Sequence, residues 1–110
     1  MVKAIAVIKR KQGLSREEFA RHYEEVHAPL VLKCFPTIRK YVRNHIVVAA
    51  GADEPDFDCI TELWFDDIEG HAAVYDVWKS EVGKPIRDDE KTFIDRSRLI
   101  NLLVEERVTN

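Results

Sequence analysis

His27 and His45 are the two side chains of this chain best placed to move protons near neutral pH. His27 falls near the end of an amphipathic helical stretch, to one side of its apolar face, where a ring can enter a pocket edge. A helix C-terminus favours imidazolium, so a charged His27 is the expectation. The alternative is a ring that only bonds a nearby carbonyl or strand. His45 alternates with Tyr41 and Arg43, so the three share one strand face. If that face lines a cavity, an imidazole, a phenol and a guanidinium converge on one ligand. Those types suit proton transfer beside a carbonyl or carboxylate: the imidazole moves the proton while Tyr41 and Arg43 stabilise the oxyanion. The same three would be ordinary surface groups if the face were solvated.

Glu62 and Trp64 share a face of another strand. A buried Glu62 would have a raised pKa and act as an acid, with Trp64 as an aromatic wall. In the plainer reading Glu62 pairs with Arg43, Lys9 or Lys40, and Trp64 fills a dimer core. Glu62, Trp64 and Lys9 are therefore the candidate substrate contacts. His22 and His71 read as surface or helix-contact residues. No HxxxH, closely spaced His/carboxylate triad, phosphate-binding glycine loop or nucleotide fingerprint occurs, so neither metal nor cofactor is expected. A lone histidine is too weak a signal for haem. No G-x-S-x-G or Cys/His hydrolase pattern is present either. Cys34 and Cys59 form no CxxC pair and read as free, inert thiols.

The elements that must position these groups can be read in order. Residues 2–9 form a β-branched strand. Ser15 followed by Glu18 makes a capping box, with Leu14 and Phe19 placed as a hydrophobic staple. Phe19, Tyr23, Val26 and Leu30 then repeat at helical spacing, and Pro29 predicts that the helix ends or bends near His27, with a further turn reaching Phe35. Ile38 to Val48 is a strand whose Ile38, Val42, Asn44 set is apolar enough to lie on helices. A loop over residues 49–58 leads to a strand from Cys59 to Phe65. Asp66 or Asp67 caps a helix containing Ile68, Ala72, Val74, Tyr75 and Trp78. A charged segment from Glu81 to Arg96, anchored by Ile86, Phe93 and Ile94, precedes a last strand over residues 99–108.

The order β-α-β-β-α-β predicts an α+β, ferredoxin-like fold: a four-stranded antiparallel sheet with helices on one face. The other face, with Trp64, calls for a partner. A second copy packed sheet to sheet would supply one, enclosing a cavity in each half.

At 110 residues the chain is sized for one domain, residues 1–110. Such a chain buries roughly two-thirds of its unfolded surface, which also favours self-association. Its 17 basic and 20 acidic residues give a formal charge of −3, with no basic block to hold nucleic acid. The N-terminal apolar run, Ala4 to Ile8, is too short for a signal peptide or membrane span, so a cytoplasmic protein is expected.

The blocks KRKQGLSREEFARHYEEVHAPLV (9–31), RKYVRN (39–44), FDCITELWFDD (57–67) and DDEKTFIDR (88–96) resemble the EthD family in content and order. The resemblance implies a homodimeric α+β barrel similar to muconolactone isomerases and small polyketide-tailoring decarboxylases, and it favours a functional His27. The expected function is cofactor-independent isomerisation, decarboxylation or dehydration of a small hydrophobic carbonyl, lactone or phenolic compound. The alternatives are cofactor-free monooxygenation of a phenol, or non-catalytic binding of a small aromatic molecule in an oxidative pathway.

Overall fold

The computed structural model describes residues 1–110. Strand β1 (Val2–Ile8) is followed by helix α1 (Arg16–His22), a π-helical turn (Tyr23–His27) and helix α2 (Ala28–Cys34). Ser15 starts this run as its spacing requires. Its hydroxyl accepts the Glu18 backbone N–H at 3.0 Å, and its own N–H donates to the Glu18 carboxylate at 2.9 Å. Pro29 does not stop the helix. Ala28 keeps helical angles (φ −59°, ψ −43°), and its N–H reaches back five residues to the Tyr23 carbonyl. The wider turn absorbs the donor that proline lacks, so the helix continues for seven more residues.

Strands β2 (Ile38–His45) and β3 (Cys59–Phe65), helices α3 (Ile68–Trp78) and α4 (Lys84–Phe93), and strand β4 (Ile100–Val104) complete the chain. Asp67, rather than Asp66, caps α3 by accepting the Gly70 N–H at 2.8 Å. The sheet order is β2-β3-β1-β4, every pair antiparallel, which is the ferredoxin-like arrangement. Helix α4 lies inside the segment that reads as merely charged. Its inward stripe is Ile86, Asp89, Glu90 and Phe93, so two carboxylates occupy positions where apolar residues normally sit. No helix is long and apolar enough to cross a membrane.

The two faces of the sheet are assigned by register. Ala4, Ala6 and Ile8 of β1 and Thr61 and Phe65 of β3 face the helices. Val7, Ile60, Ile100 and Trp64 fall on the open face. The expected faces of β2 are exchanged. Tyr41 and His45 point to the helices, whereas Val42 and Asn44, paired with Glu62 and Ile60, point away. A register shift between Ile38 and Lys40 explains how Ile38 still reaches the core: one extra residue there flips the alternation.

Phe19, Tyr23, Cys59 and Phe93 form the main core, and Val31, Phe35 and Ile86 a second. Phe93 packs against both histidines of the first helix, with ring centroids at 4.7 Å from His22 and 4.8 Å from His27. Between the two clusters the packing is incomplete, and that gap is the site.

Candidate active site

A cavity of about 620 Å³ lies between the helices and the sheet of a single chain. It is therefore not enclosed between two facing sheets, as the open-face pattern suggested. Small Ala4 and Ala6 on the central strand leave the room, and Val31, Leu63 and Phe65 give it apolar walls. Tyr23, His27, Tyr41, Thr61 and Glu90 bring polar atoms into it. An apolar cleft with a few converging polar groups is the usual form of a small-molecule site.

His27 is buried, and its Nδ1 lies 2.8 Å from Oδ2 of Asp89. His22 brings its Nε2 to the other oxygen, Oδ1, also at 2.8 Å. With Asp89 ionised, both rings donate to it. His27 is then held as the Nδ1–H tautomer, leaving Nε2 as an acceptor on the cavity side. Burial pushes the His27 pKa below its ordinary 6.5, against the opposing pull of Asp89. The charged His27 expected from a helix end is thus reversed. The π turn carries the helix onward, so His27 sits inside a continuous helix, not at its C-terminus.

Tyr41 donates its hydroxyl proton to the Tyr23 oxygen at 2.9 Å, and Tyr23 lies 2.7 Å from Thr61 Oγ1. Burial raises both phenols well above the usual tyrosine range, so they stay protonated. Tyr41 therefore offers a ligand its lone pairs, since its proton is committed to Tyr23. Cys59 follows at 3.6 Å from Thr61, its thiol pushed up to about 11 by burial, which makes it unreactive.

Arg43 and His45 lie at the rim outside the cavity lining. Glu24 holds both, with Arg43 Nη2 at 2.6 Å from Oε1 and His45 Nε2 at 2.7 Å from Oε2. Hydrogen bonding to Arg43, aided by His45, lowers the Glu24 carboxyl to about 2, so this pair of bonds persists through the neutral range. His45 also packs edge-on to Tyr23, with centroids at 5.6 Å.

Glu62, Trp64 and Lys9 are elsewhere. Glu62 meets Lys3 at 2.5 Å on the open face, and hydrogen bonds from Lys3 and Asn44 lower its pKa where a buried acid was expected to be raised. Trp64 lies there between the Lys3 and Lys40 ammonium groups, at 4.5 and 4.7 Å from the ring centroid. Lys9 stands 4.0 Å from buried Asp58. No three His, Cys, Asp or Glu side chains converge as a metal site.

Asp89 and Glu90 were not singled out by sequence reasoning. Their signal is there to be read: acids at the inward positions between Ile86 and Phe93 of an amphipathic helix.

The family model of the EthD domain matches residues 11–97. No curated protein matches the chain. An ethyl tert-butyl ether degradation (EthD) family protein from Bacillus halodurans is similar in structure, with TM-score 0.69 and 27% identity over 97% of this chain and 99% of its own. A dimeric protein of unknown function with a ferredoxin-like fold from Bacteroides fragilis gives 0.65 and 14%, over 96% and 95%. A dimeric ferredoxin-like protein from Thermobifida fusca, also of unknown function, gives 0.63 and 12%, over 94% and 88%.

Proposed function

The chain belongs to the EthD family, and on that footing we propose that it is a cofactor-independent acid/base enzyme for small, largely apolar carbonyl, lactone or phenolic compounds. The observation that carries this reading is the His27–Asp89 pair, with an unpartnered imidazole nitrogen facing an apolar cavity. His27 Nε2 takes a proton from the substrate, and Asp89 stabilises the imidazolium that forms. Tyr41 orients the substrate by accepting a hydrogen bond. Arg43 and His45 act indirectly, closing the rim through Glu24 and supporting the Tyr23 ring. Isomerisation, decarboxylation and dehydration all need this proton traffic.

The test is α-deuteration of 2-tetralone, a compact apolar ketone, in D2O. Acceleration well beyond that of free imidazole at equal concentration supports the reading. A rate no higher than free imidazole removes it.

The working form is proposed to be a homodimer. The open sheet face leaves Ile60 and Ile100 about 40% exposed, and two structural relatives are described as dimeric. An isologous sheet-to-sheet contact would bury these side chains twice. Ile60→Asp should shift the dimer toward monomer by at least roughly 100-fold in Kd, since it places two charges in a desolvated interface. Native mass spectrometry over a dilution series reads this, and an unmoved dimer would place the interface on another face.

A further inference from the structure

The proposed proton abstraction leaves negative charge on a substrate oxygen, and that oxygen needs a donor. Tyr41 is committed to Tyr23, and Tyr23 lies against Thr61. Arg43 is held outside the cavity by Glu24. Of the remaining polar groups of the lining, Arg96 and Asn101 are exposed and His71 packs edge-on to Phe65, with ring centroids at 5.4 Å, whereas Glu90 is held in the wall. It follows Asp89 on the inward stripe of α4, its side chain is 14% exposed, and the indole N–H of Trp78 holds it from α3 at 3.1 and 3.2 Å to its two oxygens.

We propose that Glu90 is the general acid of this site, donating a proton to the substrate oxygen while His27 takes one from carbon. Adjacent carboxylates then have separate duties: Asp89 lies behind the histidine, and Glu90 faces the substrate. This assignment rests on the acid/base reading above and adds the second proton to it. For a ketone, His27 Nε2 removes the α-hydrogen as a proton. The C–H pair becomes the C=C bond, the carbonyl π pair takes the proton of the Glu90 carboxyl, and an enol results. The reverse steps restore the ketone, and no electron acceptor is needed.

The surroundings of Glu90 suit a carboxyl that keeps its proton. Burial raises its pKa above the ordinary 4.5, against the Trp78 hydrogen bond and the Arg96 charge; Arg96 Nε is 3.9 Å away. Asp89 beside it also raises the value, and Arg87 opposes. Across the cavity stand His27, His71, Tyr23 and Tyr41. A base displaced downward and an acid displaced upward in one cleft is the pattern that lets both work at a shared pH.

The experiment is the pH profile of 2-tetralone α-deuteration for wild type, Glu90→Gln, Glu90→Asp and His27→Ala. Wild type should give a bell with an acid limb below pH 6.5 from His27 and an alkaline limb above pH 4.5 from Glu90. Glu90→Gln keeps an acceptor for Trp78. It should lose at least roughly 10-fold in rate together with the alkaline limb, while Glu90→Asp keeps that limb. An unchanged rate and profile in Glu90→Gln, with His27→Ala inactive, overturns Glu90 as the acid and leaves the base intact. A wild-type rate no higher than free imidazole overturns both.

Discussion

Replacement of His27 by Ala should reduce turnover by roughly 10²-fold or more, the usual contribution of a positioned acid–base group. The loss should fall on kcat, because the cavity walls that bind an apolar ligand remain. Asp89→Asn should do comparable damage by a different route. An amide can present its NH2 to Nδ1, which turns the ring to the Nε2–H tautomer and removes the acceptor from the cavity. The acid limb of the profile gives a further check. Burial holds the His27 pKa below 6.5, so on the acid side activity should fall only as pH drops through that lowered value. Stability follows the same sign. Between the lowered value and 6.5 the unfolded chain binds more protons than the native one, so stability declines as pH falls across that window. His27→Ala with near-normal kcat would remove the residue from the mechanism.

The fold was legible because its signals are local. The Ser15 capping box, the β-branched run of β1 and the turn formers of residues 49–58 each specify an element without reference to the rest. Family blocks such as 9–31 confirmed their order. The site was less legible because it depends on phase. A single shifted residue near Ile38 exchanged the faces of β2, bringing Tyr41 and His45 inward against the pattern of apolarity. The cavity expected from sheet-to-sheet pairing lies on the open face, whereas the one observed lies on the helix face. His27 could be named from its place in the helix, but its charge could not. The π turn that keeps it in mid-helix satisfies hydrogen bonds that sequence periodicity does not display. Asp89 and Glu90 were hidden by composition: in DDEKTFIDR, acids among other charges look like a solvated face until Ile86 and Phe93 fix which side is inward.

Asp58→Ala should be the most destabilising single change outside the aromatic core. The residue ends a loop rich in acids, and by composition it belongs with its exposed neighbours, yet its side chain is fully enclosed. Oδ1 meets Arg10 Nη1 at 2.6 Å and Arg16 Nη1 at 3.0 Å, while Oδ2 accepts the Arg10 backbone N–H at 2.7 Å. Removing the carboxylate leaves two guanidinium groups, each only partly exposed, with the exposed Glu54 as their one remaining counter-charge, and one backbone donor without an acceptor. Breaking one side of a buried ionic cluster costs about 3 kcal/mol or more. For a chain of this size that is a fall in Tm of roughly 10–20 °C. Calorimetry at fixed protein concentration reads it, because dimerisation makes Tm concentration-dependent. A fall under about 2 °C would mean that solvent replaces the carboxylate at little cost. The effect reaches the site through backbone. Asp58 donates its N–H to the Ile8 carbonyl at 2.9 Å and accepts from Ile46 at 2.9 Å, so it ties β3 to β1 and β2 just before Cys59 and Thr61 enter the core. Activity of Asp58→Ala should therefore be near normal well below its Tm and vanish with the fold, whereas His27→Ala should be inactive while fully folded. That contrast would separate a reacting group from one that holds the wall in place.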